Sequence, residues 1–378
     1  MATRRASSYQ SRVKWGIALS LLSLGFASQQ LRADAPTITG FIDTTYGYDL
    51  NKPISRTTAM RSFDRKTDTF LLNAAQVNFQ GDKDGIGYYA ELAFGTDPSV
   101  YKALGTGADA GLPAAPSATA YNFELQEAFV TYKCPKTAIM LKAGKFVTFE
   151  GIEVIESKDN FTISRGHLFG LAEPATHVGA MAGYAFPKVL DLWVGVVNGW
   201  DLHTDNNYGK TLVAKVGFAV NDKVSGLVSV LHGPEQANNT NNARTSFDTT
   251  WTIKPVSKVA VALQFNAGQE DKTSVHPDRL GALGHWYGFT VQPKVDVTDK
   301  LFVGARAEWF SDLDGARTGT TQVVKNITLC PGVNLSESLM LRFEYRYDWS
   351  TQRVYESNDA ADPRFQTSTL ASELIYKF

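Results

Sequence analysis

The chain has 378 residues, 43% of them hydrophobic and 20% charged, and its formal net charge at pH 7 is −1. Its basic residues form no concentrated run, which argues against a nucleic-acid-binding protein. Beyond the N-terminal segment, no stretch of the sequence is apolar for long enough to make a transmembrane helix.

The first 33 residues have the organisation of a secretory signal peptide, and the mature domain is predicted at 34–378. Basic residues, among them Arg4 and Arg5, precede an apolar run at 15–27, and small residues at 28–35 offer cleavage sites. A membrane anchor is the alternative, but the run is shorter than the stretch of about 20 residues that spans a bilayer. Export without an apolar span leaves a soluble periplasmic protein or an outer-membrane barrel.

Most of the remaining chain alternates apolar and polar residues with a period of two, as β-strands do. The alternation is clearest in the segment 339–349. One face of this segment carries Leu339, Leu341, Phe343, Tyr345, Tyr347 and Trp349, and the other carries Met340, Arg342, Glu344, Arg346 and Asp348. Large apolar residues opposite several charges fit a strand that has lipid on one side and water on the other.

Sixteen such segments are predicted, and the fourth loses its phase near Glu127, where we expect a β-bulge. They lie at 37–48, 69–80, 85–95, 121–133, 137–146, 175–186, 189–200, 210–221, 223–232, 245–255, 257–268, 284–296, 299–311, 322–333, 336–348 and 367–378.

The connections between these segments alternate between tight turns and long polar stretches. The long ones are 49–68, 96–120, 147–174, 201–209, 233–244, 269–283, 312–321 and 349–366. Short turns at one rim and long loops at the other are typical of an outer-membrane barrel, whereas a Greek-key sandwich does not keep that order. The sequence therefore predicts an all-β fold, a transmembrane antiparallel β-barrel of about 16 strands in outer-membrane lipid, with short periplasmic turns and long extracellular loops.

The chain ends on an aromatic residue, Phe378, which shares one strand face with Leu374 and Tyr376. A terminal Phe after alternating apolar residues resembles the C-terminal signal that is read by the outer-membrane assembly machinery. We therefore expect that machinery to be a partner and Phe378 to act as an assembly signal.

The sequence resembles the β-barrel porin family of the second type, the OmpL-like porins. The resemblance extends over roughly residues 40–210. The residues that carry it are 61–65 (RSFDR), 71–76 (LLNAAQ), 126–132 (QEAFVTY), 143–146 (AGKF), 153–160 (EVIESKDN), 164–165 (SR) and 197–201 (VNGWD). The resemblance implies a porin of the outer membrane and says little about its solute.

The third long connection, 147–174, is unusually apolar for a surface loop, with Phe149, Phe161 and Phe169 among its residues. Such a loop is expected to pack against something. General porins fold the loop at the same position in the strand order into the lumen, so we expect 147–174 to be a constriction loop. A structured lid outside the barrel is the alternative.

The pore constriction is predicted to combine loop charges with arginines that face them across the lumen. The loop contributes Glu150, Glu153, Glu156, Asp159 and Arg165, and the facing strands contribute Arg306, Arg342 and Arg346. Opposed charges in a narrow pore orient dipolar solutes and set ion preference. The alternative is that these residues solvate a wide lumen or pair within one strand.

The predicted function is passive diffusion of small hydrophilic solutes and ions through a water-filled barrel. The six histidines have no metal-ligand spacing and no cofactor motif is present, so no metal, cofactor or enzymatic activity is predicted. One alternative is a channel specific for a sugar or an anion, with Trp193, Trp286 and Phe302 lining the lumen. Another is a closed structural or adhesive barrel whose loops bind partners. A homotrimer is possible, although no residue set in the sequence requires it.

Overall fold

The computed structural model describes residues 36–104, 122–186 and 189–378. The predicted signal peptide, 1–33, and its cleavage sites lie outside these described residues.

The described residues form sixteen strands, as predicted, and each predicted boundary lies within three residues of the observed one. The strands are β1 (Thr37–Asp49), β2 (Thr69–Lys83), β3 (Ile86–Gly95), β4 (Asn122–Lys133), β5 (Met140–Val147), β6 (Thr176–Phe186), β7 (Leu190–Val197), β8 (Thr211–Asn221), β9 (Val224–Pro234), β10 (Ala243–Val256), β11 (Val259–Glu270), β12 (Gly284–Asp296), β13 (Leu301–Asp312), β14 (Gln322–Asn334), β15 (Leu339–Ser350) and β16 (Gln366–Lys377).

Each strand pairs antiparallel with its neighbour in sequence, and β1 pairs with β16 to close the barrel. Closure satisfies the backbone hydrogen bonds that an open sheet edge would leave exposed, which a chain surrounded by lipid requires. The connections alternate as predicted: two residues join β8 to β9, whereas 28 residues join β5 to β6. Both ends of the barrel sequence lie at the rim with the short connections.

The predicted bulge near Glu127 is confirmed. Glu91 pairs with Glu127 and Leu92 pairs with Leu125, so Gln126 is the extra residue of β4. A second register shift leaves Asn73 of β2 unpaired opposite β1. Both extra residues are buried, so each bulge turns a polar side chain away from the lipid.

The outward face of the barrel is apolar. On β15, Phe343 and Tyr345 are 52% and 44% exposed, whereas Arg342 and Arg346 on either side of them point inward and are buried. Aromatic pairs lie towards both rims, for example Tyr347 with Trp349 and Phe218 with Trp251. An apolar band between aromatic girdles is the outer surface of a membrane barrel. No helix among the described residues is long and apolar enough to cross a bilayer.

We expect Phe343→Arg to lower the free energy of unfolding by about 2–4 kcal/mol, because an arginine in the middle of the lipid-facing band must leave water. Leu335→Arg is the matched control, since Leu335 is similarly exposed but lies in the turn between β14 and β15. Urea titration of the barrel refolded in vesicles measures the free energy of unfolding of both variants. Equal losses in the two variants would contradict the assignment of Phe343 to the lipid face.

The interior of the barrel contains structure of its own. The helix α1 (Asp97–Leu104) follows β3 and contacts β2, β3 and β4. The connection between β5 and β6, residues 148–175, also lies inside the barrel; we call it L3. It contains a 3-10 turn at Ser157–Asp159 and a π-helical turn at Leu168–Ala172. The largest apolar core of the molecule therefore joins L3 to inward-facing wall residues, among them Phe149 and Leu168 with Leu231, Trp286 and Phe310.

Candidate pore constriction

L3 is apolar because it packs against the inside of the barrel wall. Leu168 lies against Gly288 of β12, and the carbonyl of Phe161 lies so close to Gly304 of β13 that no side chain would fit there. Gly304 thus allows the loop backbone to approach its strand, and Gly288 makes room for the side chain of Leu168. The predicted loop, 147–174, and L3 differ by one residue at each end.

Arg306 of β13 holds the middle of L3. Its guanidinium forms an ion pair with Glu153 at 2.7 Å and donates to the carbonyl of Ser164 at 2.6 Å and to the hydroxyl of Thr162 at 2.9 Å. A further N–H donates to Asn326 on the neighbouring strand at 3.0 Å. Since the arginine is fully buried, these contacts satisfy its charge and donors inside the protein, as burial requires.

Arg342 of β15 holds the 3-10 turn of L3. It donates to the carbonyl of Ser157 at 2.8 Å and to the carbonyl of Asn160 at 2.9 Å. Its charge is balanced by Glu373 on the neighbouring strand β16. The carboxylate of Glu373 also accepts a hydrogen bond from the Ser157 hydroxyl at 2.5 Å. Arg342 and Glu373 together therefore bind the turn.

Arg346 completes the row of arginines. It donates to the carbonyl of Arg165 at 2.6 Å and pairs with Asp348 at 2.7 Å on its own strand. Asp348 also pairs with Arg61, from the connection between β1 and β2, at 2.5 Å. Arg165 in turn forms an ion pair at 3.1 Å with Asp97, the first residue of α1. This network links L3 to the wall, to α1 and to the first long loop.

Two wall carboxylates accept hydrogen bonds from the backbone of L3. Glu344 accepts from the N–H groups of Ile163 and Ser164, at 2.6 and 3.1 Å. Glu308 accepts from the N–H groups of His167 and Leu168, at 2.6 and 2.8 Å, where the π-helical turn begins. Such charge-assisted bonds to backbone donors are among the stronger hydrogen bonds in proteins.

The two ends of L3 lie against β10 and β11 through carboxylates. Glu150 accepts from the hydroxyl of Ser246 at 3.1 Å, and Glu173 accepts from the amide of Gln264 at 2.8 Å. The same amide donates to Asp248 at 2.7 Å. Burial, with Asp248 close by, raises the pKa of both Glu150 and Glu173 well above its usual range. L3 is thus held by arginines and carboxylates of the wall on one side, whereas on the other side its own Glu150 and Glu173 bind Ser246 and Gln264.

The predicted constriction residues fall into three places. Glu153, Arg165, Arg306, Arg342 and Arg346 belong to the network beside β13 and β15 described above. Glu150 lies at β10. Glu156 faces β4, where it accepts from Gln126 at 2.6 Å, and Asp159 pairs with Lys158 next to it in L3.

One expectation about these residues needs correction. We expected the arginines to face the loop across a water-filled gap, but all three arginines hydrogen-bond to L3 directly. Six contributors were missed: Glu308, Glu344, Asp348, Asp97, Glu373 and Arg61. The first three alternate with the arginines on the same faces of β13 and β15, which was a usable signal. Asp97 lies in a connection, where no periodicity marks it.

The candidate aromatic lining is mostly unavailable to a solute. Trp286 is buried and packs edge-on against Trp200 at 6.3 Å between ring centroids, and Phe302 is buried as well. Trp193 is partly exposed and donates to Asp191 at 2.8 Å. Among the described residues, no three His, Cys, Asp or Glu side chains are arranged to hold a metal ion.

Solved structures of outer-membrane proteins share this architecture. OmpT of Vibrio cholerae in its trimer form aligns with a TM-score of 0.56 and 12% identity, over 91% of this chain and 100% of that chain. The channel DcaP of Acinetobacter baumannii gives 0.59 and 10%, over 93% and 100%. The anion-selective porin from Comamonas acidovorans gives 0.59 and 9%, over 91% and 99%. At these identities the fold is what is shared.

The sequence itself identifies the family. No curated protein matches it, but the family model described as beta-barrel porin-2, OmpL-like, matches residues 36–378. Family and fold together indicate a channel rather than an enzyme. The chain therefore belongs to the OmpL-like beta-barrel porins and is an outer-membrane porin.

Proposed function

We propose that the barrel allows passive diffusion of small hydrophilic solutes and ions, and that L3 is the constriction that narrows its bore. The observation that carries this proposal is that L3 lies inside the barrel and is bonded to wall strands on both sides, at Ser246 and Gln264 and at Arg306 and Arg342. A loop fixed in this way reduces the open cross-section of the lumen and leaves the barrel wall unchanged.

The bore is expected to be small. Lumen-facing residues of β13 to β16, such as Asn326, Arg346 and Asp348, are fully buried. A solute therefore has no access to that part of the wall. A narrow bore favours ions and small polar molecules, because larger solutes would have to displace L3.

Single-channel recording of the refolded mature chain in a planar bilayer tests the proposal. We expect discrete, long-lived open steps whose conductance scales with bulk salt. Added sugars then separate a general porin from a channel with a binding site, because only the latter shows saturable block. If a demonstrably folded barrel showed no conductance, the result would contradict the proposal and favour a closed barrel with binding loops.

Export, assembly and oligomeric state belong to the same proposal. We propose that residues 1–33 direct export and that Phe378 acts as the assembly signal; its ring is exposed beside Tyr376, and its backbone exchanges hydrogen bonds with Gly40 where the barrel closes. A homotrimer is proposed from the fold shared with OmpT, which has a trimer form. The number of chains in the complex follows from the mass of the protein–detergent complex, once the bound detergent is subtracted.

A further inference from the structure

The part of the lumen between L3 and the rim of the short turns is accessible to water. Inward-facing residues near this rim, such as Thr39, Gln80, Ala185 and Ala219, are exposed. At the level of L3, by contrast, most inward-facing residues are buried. We call the space between L3 and the short-turn rim the vestibule. A solute that crosses the barrel has to pass through it, whatever path the solute takes beside L3.

The wall of the vestibule contains more lysines than acidic residues. Its inward faces are defined by the strand register, since Lys142 pairs with the buried Met181 of β6 and Lys377 pairs with the buried Phe41 of β1. The charged residues on these faces are six lysines and three aspartates, namely Lys133, Lys142, Lys215, Lys254, Lys294 and Lys377 with Asp82, Asp191 and Asp296.

The other carboxylates on the inward faces of β3 and β4 belong to the level of L3. Glu91 and Glu127 are buried beside Glu156 of L3. Glu127 also accepts a hydrogen bond from the N–H of Val147, at the end of β5, at 2.9 Å. Neither glutamate therefore lies in the vestibule.

Two of the three aspartates are already paired with lysines. Asp191 lies 3.1 Å from Lys215, and Asp296 lies 3.4 Å from Lys294. The third, Asp82, is exposed within one residue of the end of β2. The aspartates therefore do not neutralise the remaining lysines of the wall.

Three lysines keep their charge without an acidic partner. In the described part of the chain, no carboxylate lies at ion-pair distance from Lys142, Lys254 or Lys377. All three are half-buried, so that water reaches them. The ammonium of Lys142 lies 3.9 Å above the ring of Phe129, a contact that leaves its positive charge in place.

These three lysines are distributed around the whole barrel. They lie on β5, β10 and β16, so five, six and five strands separate them in the closed order. Each lies within two residues of the strand end at the short-turn rim. Lys142, Lys254 and Lys377 therefore form a ring at the rim of the vestibule, which we call the lysine ring.

A ring of like charges in a confined aqueous space acts on every ion that enters. Protein and lipid around the lumen have a low dielectric constant, so the field of the lysines is focused into the water. The local concentration of anions rises and that of cations falls. The arginines of β13 and β15 add little to this field, because they are buried in ion pairs with carboxylates.

We propose that the lysine ring attracts small anions into the vestibule and makes the channel prefer anions over cations. This inference rests on the proposed function and adds to it the class of solute. It does not depend on which part of the lumen beside L3 the ions use, because the ring surrounds the end of every path.

Reversal potentials in a KCl gradient at pH 7 test the selectivity. We expect the wild type to pass Cl⁻ more readily than K⁺. Replacing Lys142, Lys254 and Lys377 together with glutamine should lower the ratio of Cl⁻ to K⁺ permeability by roughly twofold or more, and each single change should lower it by less. Lys300→Gln is the matched control, since Lys300 is exposed at the same rim but lies in the turn between β12 and β13. Its ratio should equal that of the wild type.

Tryptophan fluorescence tests the vestibule without any measurement of current. Trp193 faces the vestibule opposite Lys215 in the register and is half-buried. The difference between wild type and Trp193→Phe in detergent isolates its emission. Relative to free tryptophan, we expect iodide to quench this emission more strongly than caesium does, by roughly twofold or more, because the lysines concentrate anions. The triple glutamine variant should lose this difference.

The two experiments separate the inference from the proposed function. A conducting channel that prefers K⁺, or one whose permeability ratio is the same in the folded triple variant, overturns the anion preference and leaves the porin function intact. Equal relative quenching by iodide and caesium also overturns it. A folded barrel that never conducts but shows the stronger quenching by iodide contradicts the porin function and supports the attraction of anions to the vestibule.

Discussion

Replacing both Arg306 and Arg342 with alanine should raise the single-channel conductance by roughly twofold or more, because L3 would leave its position in the bore. The two arginines make most of the side-chain contacts to the middle of L3. Their loss would also leave Glu153 buried without its partner, and breaking a buried ion pair in this way costs about 3–5 kcal/mol. The barrel wall itself is held by its backbone hydrogen bonds and should remain closed.

The control for this double variant is Arg353→Ala. Arg353 pairs with Asp362 at 3.2 Å in the last long loop, where both side chains are largely exposed, so its removal should not change the conductance. Heat-modifiable migration on gels verifies that each variant is folded. An unchanged conductance in the folded double variant would show that L3 does not limit the flow.

Replacing Glu150 and Glu173 with glutamine should stabilise the protein at neutral and alkaline pH. Burial and the neighbouring Asp248 raise the pKa of both carboxyl groups. In the unfolded chain their pKa is about 4.3. The favourable contribution of each neutral carboxyl is therefore complete below about pH 4 and is lost as the pH rises through the raised folded pKa. Glutamine cannot ionise and keeps that contribution.

Thermal unfolding of the detergent-solubilised barrel at several pH values measures this effect. We expect the melting temperature of the double glutamine variant to exceed that of the wild type at pH 8, by roughly 2–4 °C for each kcal/mol gained, and the difference to vanish near pH 4. Glu153→Gln, the same change on the same loop, should destabilise instead, because it leaves Arg306 buried without its ion-pair partner. A double variant less stable than the wild type at pH 8 would refute the argument.

The contrast between Glu153 and Glu150 also shows the limit of sequence reasoning. Both are glutamates of the same loop, three positions apart, and the sequence predicts the same role in the constriction for each. In the structure Glu153 meets Arg306, whereas Glu150 meets Ser246 near another carboxylate. Substitution by glutamine is therefore expected to change the stability in opposite directions at the two positions. The difference depends on wall residues about one hundred or more positions away in the chain, and no local sequence pattern predicts such contacts.

The sequence alone was sufficient for the number and approximate bounds of the strands, the alternation of short and long connections, the bulge at β4 and the unusual third loop. These features are local, because side chains alternate along a strand and turns are short-range. The tertiary structure decided how α1, L3 and the arginines of β13 and β15 meet, and that these arginines contact L3 with no gap between them. Such contacts arise only when closure of the barrel brings distant segments into one lumen.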